Sequence, residues 1–396
     1  MSDTLKRRIG PALLTAYGVG VMVGAGIYVL VGAVAEQAGI WAPLAFLMAG
    51  VIAAPTALSY SEFSTRIPEA AGEAAYVGTG LNSQALAILV GLAIVLAGTL
   101  SAGAVLRGGV GYLVNTIDID TTLAIVLLGG ALICVAMIGV LESLALVAVF
   151  TVIELAGLGL VIWAGMTAPA VASFDMSGTP LVWSGIGLGA VLAFFAFIGF
   201  EDIVNMAEEV DNPSTTLPRA ILISLTITTV IYAVVTYAAV RAVSVDDLAN
   251  STSPLVLVWQ AARGGDAQFL SAIAVFAALN GVLAQIVMAS RVLYGLGKRT
   301  PALSIFHHTH ARFGTPILAT SLVGAAVVAT SMVARVSTLA ELTSAVLLSV
   351  FVLVNLALIA QKRRAPEAPF RVPMFVPVVG AILSLAALSL TVGARL

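Results

Sequence analysis

Charged residues are scarce in this 396-residue chain, and their scarcity excludes an ordinary soluble globular protein. Only 10% of the residues are charged, 60% are hydrophobic, and the mean hydropathy is +1.09. A soluble domain carries about a quarter charged residues. The net charge of −2 is uninformative, because in a membrane protein the placement of Lys and Arg matters more than their sum. The composition predicts an all-α polytopic membrane protein.

Cysteine and histidine are also rare. The single cysteine, Cys134, excludes an internal disulfide framework and a cysteine-built metal site, and its apolar surroundings predict a small buried side chain. The three histidines, His307, His308 and His310, lie in a basic stretch that favours a solvated loop over a metal site. The chain lacks H-E-x-x-H, a convincing Ser/His or paired-aspartate arrangement and a cysteine nucleophile. We therefore predict no enzyme activity, no cofactor, no metal and no nucleic-acid partner.

Long apolar segments dominate the chain, and polar residues separate them into eleven predicted membrane-spanning helices. They lie near residues 10–35, 41–65, 85–115, 121–139, 145–167, 183–208, 215–241, 268–297, 316–333, 337–361 and 373–394. Segment 242–267 contains "SPLVLVWQAA", which is too short to span. It is predicted to be an outer loop with a short interfacial helix.

The basic residues are distributed unevenly over the two sides of the predicted bundle. With the N-terminus inside, the cytoplasmic set is Lys6, Arg7, Arg8, Arg66, Arg219, Arg291, Lys298, Arg299, Arg312, Lys362, Arg363, Arg364 and Arg371, and the outer set is Arg241, Arg263, Arg335 and Arg395. The positive-inside rule then predicts a cytoplasmic N-terminus and an extracytoplasmic C-terminus in the inner (plasma) membrane. Glu62 and Arg66 are predicted to anchor the inner end of the second span to the cytoplasmic loop.

The first span contains an unusual run of glycines, in "GVMVGAGIYVLVG" (20–32). Each glycine weakens a helix by about 1 kcal/mol relative to alanine. The sixth span, from Trp183, is unusual in placing Glu201 and Asp202 side by side after "FIGF". An acid at mid-membrane costs about 2.5–3.5 kcal/mol on insertion scales. Both spans are therefore predicted to be discontinuous, although the sixth could also end near Phe200 with its acids in the interface.

Interrupted spans at corresponding positions are typical of inverted-repeat transporters. Spans one to five (10–167) and six to ten (183–361) are predicted to form a five-plus-five inverted repeat. The eleventh span (373–394) is an addition within one domain over 1–396. A broken helix frees N–H and C=O groups, and its ends attract an anion and a cation. The α-carboxylate and α-ammonium of an amino acid fit such a site.

Several motifs resemble those of the amino acid–polyamine–organocation permeases. They are "VGAGIY" in the first span, "TRIPEAAGEAAYVG" (65–78), "FFAFIGFEDIVNMAEEVDNPSTTLPRAI" (194–221), and "ASRVLYGLGKR" (289–299) followed by "HARFGTP". The resemblance covers nearly the whole chain, and its sixth-span motif is specific. It implies the same five-plus-five fold that the two broken spans predict.

The resemblance implies a substrate site made by the two breaks. Amides of Gly24, Ala25, Gly26 and Ile27 would bind the carboxylate. Carbonyls of Met22, Val23, Phe194, Phe195 and Ile198 would receive the ammonium, with Gly199 in the same unwound stretch. Phe195 occupies the position where family members place a large aromatic ring over the substrate. Plain core packing is the alternative for the phenylalanines.

Acids and amides in the spans are candidates for ion or proton coupling. Where many proton-coupled relatives carry a lysine in the fifth span, "VFTVIELAGLGL" places Glu154. An acid there is expected to be protonated, paired or bound to a cation, with a structural hydrogen bond as the alternative. Glu201 matches an acid that some members use in sensing pH, and Asp202 is less regular. Asn280 lies on the face used for ion or substrate contacts, where interhelical hydrogen bonding competes.

These features favour a secondary transporter that moves amino acids by alternating access, with proton-coupled symport expected. An exchanger of amino acids, amines or polyamines and a sodium-coupled symporter are the alternatives. The expected partners are the amino acid, a coupling proton or sodium ion, and the lipid bilayer. A channel is disfavoured, because no charged ring or filter-like loop is present.

Overall fold

The computed structural model describes residues 9–68, 72–114, 116–138, 144–207, 210–265, 267–308, 310 and 315–393. The α-helices in these ranges are α1 (Pro11–Val23), α2 (Ala25–Ala38), α3 (Ala42–Arg66), α4 (Gly72–Leu81), α5 (Gln84–Val114), α6 (Thr121–Ile138), α7 (Leu144–Thr167), α8 (Trp183–Phe194), α9 (Pro213–Ala242), α10 (Val245–Asn250), α11 (Pro254–Arg263), α12 (Gln268–Arg299), α13 (Ile317–Val333), α14 (Val336–Arg364) and α15 (Phe375–Gly393).

These helices account for the predicted spans. Seven apolar helical stretches in the described ranges are long enough to cross a membrane by length and composition, and one of them runs through α2 and α3. The shorter apolar helices α1, α6, α13 and α15 supply the remaining segments. The prediction of an all-α polytopic protein with broken first and sixth spans is confirmed. Exposed side chains such as Leu89, Leu96 and Val126 give the bundle the apolar outer surface that lipid requires.

The first span breaks at Gly24, which separates α1 from α2. Its backbone angles, φ −30° and ψ −166°, are not helical, although its N–H still bonds to the Gly20 carbonyl at 3.1 Å. Helix α2 starts again at Ala25 with new N-terminal N–H groups that have no carbonyl one turn earlier to bond. The break is therefore a single residue wide.

The sixth span breaks over a longer stretch. Helix α8 ends at Phe194 and tightens into a 3-10 turn over Phe195–Phe197. Ile198 is then extended (ψ 130°), and Gly199 has φ +123°, a conformation that side-chain-bearing residues rarely adopt. The chain continues as a short 3-10 turn over Asp202–Met206, within the span predicted over residues 183–208. Residues 208–209 lie outside the described part.

Packing brings the two breaks to the centre of the bundle. Helix α1 packs against α7 and α9, α2 packs against α8, and α3 lies against both α8 and α9. Helix α5 packs against α12 and α14 on the other side. The broken spans are therefore enclosed by helices from both halves of the chain.

Short helices outside the spans include one that was predicted and two that were not. The predicted interfacial helix after α9 is α11, and α10 precedes it, capped by Ser244, whose hydroxyl accepts a bond from the Asp247 N–H at 3.1 Å. Helix α4 was not predicted. It buries Glu73 and Tyr76, and the Tyr76 ring stacks on Phe63 with centroids 4.9 Å apart.

The predicted burial of Cys134 is wrong. Its side chain is exposed on α6. A membrane helix is apolar on the faces that meet lipid as well as on those that meet protein, so an apolar run does not reveal which way one residue points.

Ion pairs join several elements at one end of the bundle. Glu62 pairs with Arg66 at 2.6 Å and with Lys362 at 2.7 Å. Arg66 also donates to the carbonyls of Ala365 and Glu367, at 2.8 and 3.0 Å. The predicted anchoring of the end of α3 by Glu62 and Arg66 is confirmed. We call this end, which carries Arg66, Lys362, Arg363 and Arg364, the basic end.

Candidate substrate site

The two breaks touch each other. A β-carbon built on Gly26 would lie 3.1 Å from the α-carbon of Ala196, in the 3-10 turn that follows α8. A β-carbon on Gly199 would lie 3.3 Å from the Met22 nitrogen, at the end of α1. Glycine at these positions lets the two unwound backbones approach to contact distance.

One tyrosine hydroxyl connects both breaks. Tyr232 of α9 is fully buried, and its hydroxyl lies 2.5 Å from the Met22 carbonyl and 2.9 Å from the Ala196 carbonyl. Both carbonyls come from backbone that the breaks free, and such groups need a partner in an apolar bundle. The Met22 carbonyl, predicted to receive the ammonium, therefore keeps one lone pair for a ligand.

Replacing Tyr232 by phenylalanine should destabilise the protein by about 1–3 kcal/mol, because two buried carbonyls lose a shared donor. The thermal unfolding midpoint in detergent measures the effect. Tyr237→Phe is the matched control on the same helix, since the Tyr237 ring packs edge-on against Phe174 at 5.5 Å. Equal midpoints for the two variants would show that the Tyr232 hydroxyl does not hold the breaks.

A cavity of about 60 Å³ lies between the breaks. Six residues predicted for the site line it: Met22, Gly24, Gly26, Phe195, Ile198 and Asn280. Helices α1, α5 and α12 contribute others, including Tyr17, Ser101, Val105, Ala284 and Gln285. No charged side chain lines this cavity among the described residues.

The remaining predicted substrate residues do not line the cavity with described atoms. Val23, Ile27, Phe194 and Gly199 are buried in the packing around the breaks. Val23 and Ile27 flank the break in the first span, while Phe194 packs edge-on against Phe351 at 5.7 Å. The side chain of Ala25 lies outside the described part. For Phe194 the alternative of core packing fits better, whereas Phe195 lines the cavity.

Glu154 lies behind the first break and does not line the cavity. Its residue is 2% exposed, and neither carboxyl oxygen accepts a hydrogen bond from the described residues. Asn280 is close enough to interact with the carboxyl group, but outside hydrogen-bonding geometry. The Glu154 backbone carbonyl accepts a bond from the Tyr28 hydroxyl at 3.0 Å. The alternative predicted for Glu154, a structural hydrogen bond made by its side chain, therefore has no partner among the described residues.

Glu201 and Asp202 are buried just beyond the second break. They are 3% and 8% exposed, and the Glu201 carboxyl accepts a bond from the Gly199 N–H at 3.0 Å. Both line a second, smaller cavity together with Glu73 of α4 and Gln285 of α12. The protein therefore encloses both acids.

Tyr232 and Glu73 are parts of this region that the sequence reasoning missed. From sequence alone, a tyrosine in a spanning helix is equally consistent with a packing role and a hydrogen-bonding role. The carbonyls that the Tyr232 hydroxyl meets belong to residues 210 and 36 positions away in the chain. Glu73 is visible in "PEAAGEAAYVG" as an acid in an alanine-rich stretch. Nothing in that stretch shows which other acids it will face.

Comparison with known proteins agrees with this architecture. The family model for amino acid permeases matches residues 10–394. A branched-chain amino acid permease of Bacillus subtilis is 27% identical, over 95% of this chain and 85% of that protein. A methylthioribose transporter of the same organism is 29% identical, over 96% of this chain and 86% of that protein. A vacuolar cationic amino acid transporter of Arabidopsis thaliana is 27% identical, over 92% of this chain and 64% of that protein.

The family match spans nearly the whole chain, including both broken helices and the cavity between them. The relatives named above are all transporters, which supports a transport role and not an enzymatic one. This chain belongs to the amino acid permease family.

Proposed function

We propose that this protein is a secondary active transporter that carries amino acids by alternating access and is driven by protons. One observation carries the proposal: the cavity of about 60 Å³ between two broken helices. The N-terminal N–H groups of α2 provide an anion site beside it. The carbonyl of Met22 provides an acceptor for an ammonium group. An amino acid backbone offers both charges at a fixed separation.

The substrate we propose is an amino acid with a small or medium apolar side chain. The lining supports this choice, because Phe195, Val105 and Ala284 are apolar and no described lining side chain is charged. A cationic side chain would lie there without a counter-charge, which is costly in an apolar site. The named activity of the branched-chain relative is in keeping with a neutral substrate.

The second candidate is an exchanger of cationic amino acids or amines. It is favoured by the carboxyls of Glu73, Glu201 and Asp202, which lie in the cavity next to the substrate cavity. A long cationic side chain that reached them would find opposite charge. The cationic transporter among the relatives fits this candidate.

We propose that the basic end faces the cytoplasm of the inner (plasma) membrane, because basic residues accumulate on that side of multi-pass proteins. The N-terminus is then cytoplasmic and the C-terminus extracytoplasmic. We further propose that residues 10–167 and 183–361 are two inverted repeats, each opening with its broken helix, and that α15 is an addition outside them.

Uptake by purified protein in liposomes tests the function. A panel of labelled neutral and cationic amino acids and polyamines is offered, with and without a pH gradient and with and without sodium. We expect saturable uptake of neutral amino acids that an inward proton gradient increases. Exchange of cationic members alone would favour the second candidate. Uptake that depends on sodium and not on the pH gradient would replace proton coupling by sodium coupling in the proposal. No saturable uptake or exchange of any member would remove both candidates.

Glu154→Gln tests the role we propose for Glu154 as a proton-coupling group, with Asn280 beside it. The carboxyl is buried without a described hydrogen bond, and a glutamine there keeps the shape but does not take up or release a proton. We expect uptake by the variant to lose part of its pH dependence, measured as the initial rate across a series of external pH values. Glu36→Gln, at an exposed position on α2, is the control. A pH dependence equal to that of the control would remove Glu154 from coupling.

A further inference from the structure

A second cavity adjoins the substrate cavity toward the basic end. Its volume is about 10 Å³, room for about one water molecule. The carboxyls of Glu73, Glu201 and Asp202 line it, and Gln285 lines both cavities. No lysine or arginine lines it in the part of the chain that the structure describes.

The three carboxyls are buried together. Glu73 is 5% exposed, Glu201 3% and Asp202 8%. Carboxylates that share a buried site do not all ionise, because desolvation and mutual repulsion both favour the protonated form. At least one proton is therefore expected to reside on the cluster at neutral pH.

Other titratable groups around the cluster come from neighbouring helices. The Tyr60 hydroxyl of α3 faces the Glu73 carboxyl, and Tyr76 of α4 lies beside Tyr60 with ring centroids 6.0 Å apart. Tyr17 of α1 is within electrostatic range of both Asp202 and Arg291 of α12. Arg291 is the basic group that interacts with Tyr17, and it does not line the cavity.

Gln285 shows that the cavity lacks a hydrogen-bond donor in the described part of the chain. Its residue is 8% exposed, and its buried Oε1 accepts no hydrogen bond from the described residues. Buried acceptors in native proteins are almost always satisfied. An ionised carboxylate is only an acceptor, whereas a protonated carboxyl has an O–H to donate. A protonated acid in the cluster, directly or through one water, supplies the donor that Gln285 lacks.

Glu73 stands between the cluster and an open crevice at the basic end. Its helix, α4, is not one of the spans. Ala74 and Ala75, the two residues that follow Glu73 in this helix, line a crevice of about 820 Å³ together with Arg66 and Arg364. Glu73 therefore directly precedes, in sequence, two residues that line an open crevice. Burial raises the pKa of Glu73 to about 7, so a small change in its surroundings is enough to load or release a proton near neutrality.

We propose that Glu73, Glu201 and Asp202 form a proton-binding site coupled to the substrate cavity through Gln285, and that Glu73 exchanges its proton with the crevice at the basic end. In the exchange, the O–H bond of one carboxyl breaks, its proton passes to a water of the crevice, and a carboxylate remains. The reverse step reloads the site. The inference rests on the proposed function, because it gives the proton that drives this transport a site of exchange at the basic end, in addition to the coupling role proposed for Glu154.

Glu73→Gln tests the proposal, with Glu367→Gln as the matched control, since Glu367 is an exposed acid at the same end. The transport probe is labelled L-leucine in liposomes. We expect the Glu73 variant to exchange L-leucine across the membrane but to lose accumulation driven by a proton gradient. A coupled protein gains about tenfold accumulation for each pH unit, when one proton moves per substrate.

A second measurement does not depend on transport. Infrared spectra of the purified protein record protonated carboxyls, and we expect a band that titrates near pH 7 in the unchanged protein and in the control but not in Glu73→Gln. Glu73→Asp, which keeps a carboxyl, should restore the band with a shifted midpoint even if the glutamine variant folds poorly.

The same band in Glu73→Gln, or equal gradient-driven accumulation in that variant and the control, would overturn the proposal. Transport of L-leucine by the unchanged protein without any response to a proton gradient would overturn it as well. If the band behaves as expected but no amino acid is taken up, the proton site stands and the proposed function fails.

Discussion

Replacing Gly26 by valine should weaken substrate binding by about 10- to 100-fold while the protein still inserts in the membrane. A β-carbon at this position meets the Ala196 α-carbon at 3.1 Å and its β-carbon at 3.3 Å. The first contact is with backbone, so the two breaks must move apart. Overpacking of this kind costs about 1–3 kcal/mol, and each 1.4 kcal/mol changes affinity about tenfold. Binding of labelled L-leucine to purified protein measures the loss.

The control for this variant is Gly159→Val on α7. A β-carbon on Gly159 meets no atom within 4 Å, so the same change of residue type leaves the packing alone. We expect the control to bind the probe as the unchanged protein does, and both variants to elute from size exclusion as single species. Equal affinity for the two variants would mean that contact between the breaks does not shape the site.

The overall path of the chain is readable from the sequence because a bilayer imposes simple constraints. Spanning helices need long apolar runs, and the runs ending at Arg66, Ala242 and Arg364 end at or near charged residues. The position of the first break is equally readable. Gly24 and Gly26 sit in an otherwise good spanning helix, and close approach of backbone is the strongest reason for glycine there.

Partners across the bundle are not readable in the same way. The hydroxyl of Tyr232 and the carboxyl of Glu73 meet groups that only tertiary packing brings near them. The exposure of Cys134 has the same origin, since lipid and protein interior are similarly apolar. The sequence therefore predicts where backbone becomes free for a ligand, but not which side chains support that backbone.

The predicted site residues show the same limit, since some line the cavity and others pack in the core. Met22, Gly24 and Gly26 line the cavity, as expected from their place in a broken helix. Phe194 and Ile27 have the same local sequence character but turn into the packing. Neighbouring residues on a helix point in directions about 100° apart. Which of them lines the cavity therefore depends on how the helix is rotated, and the glycine pattern does not specify that rotation.

The basic end is closed by a buried ionic cluster around Glu62. Its carboxylate, fully buried on α3, accepts bonds from Arg66 at 2.6 and 2.9 Å, and from the Lys362 ammonium at 2.7 and 2.9 Å. The Val372 N–H, before α15, completes it at 2.8 Å. Lys362 in turn donates to the Val372 carbonyl at 2.7 Å. One carboxylate thus joins α3, α14 and the segment that leads to α15.

Glu62→Gln should destabilise the protein by about 3–5 kcal/mol, because it removes the only described anion that pairs with Lys362 and leaves that ammonium buried. The amide also turns N–H donors toward Lys362 and the Val372 N–H, where a carboxylate offered acceptors. The thermal unfolding midpoint in detergent, compared with Glu36→Gln at an exposed position of α2, measures the loss.

A second substitution, Lys362→Met, distinguishes the energetic contribution of the ion pair from the effect of changing either side chain alone. Lys362→Met alone should also destabilise, but combined with Glu62→Gln it removes the stranded ammonium, so the double variant should be more stable than the sum of the single effects implies. In a double-mutant cycle of this kind, residues in direct contact give interaction energies of about 0.5–3 kcal/mol. Strict additivity, or a Glu62→Gln midpoint equal to that of the exposed control, would mean that the cluster contributes little. The basic end would then be held by the carbonyl contacts of Arg66 and Arg364 instead.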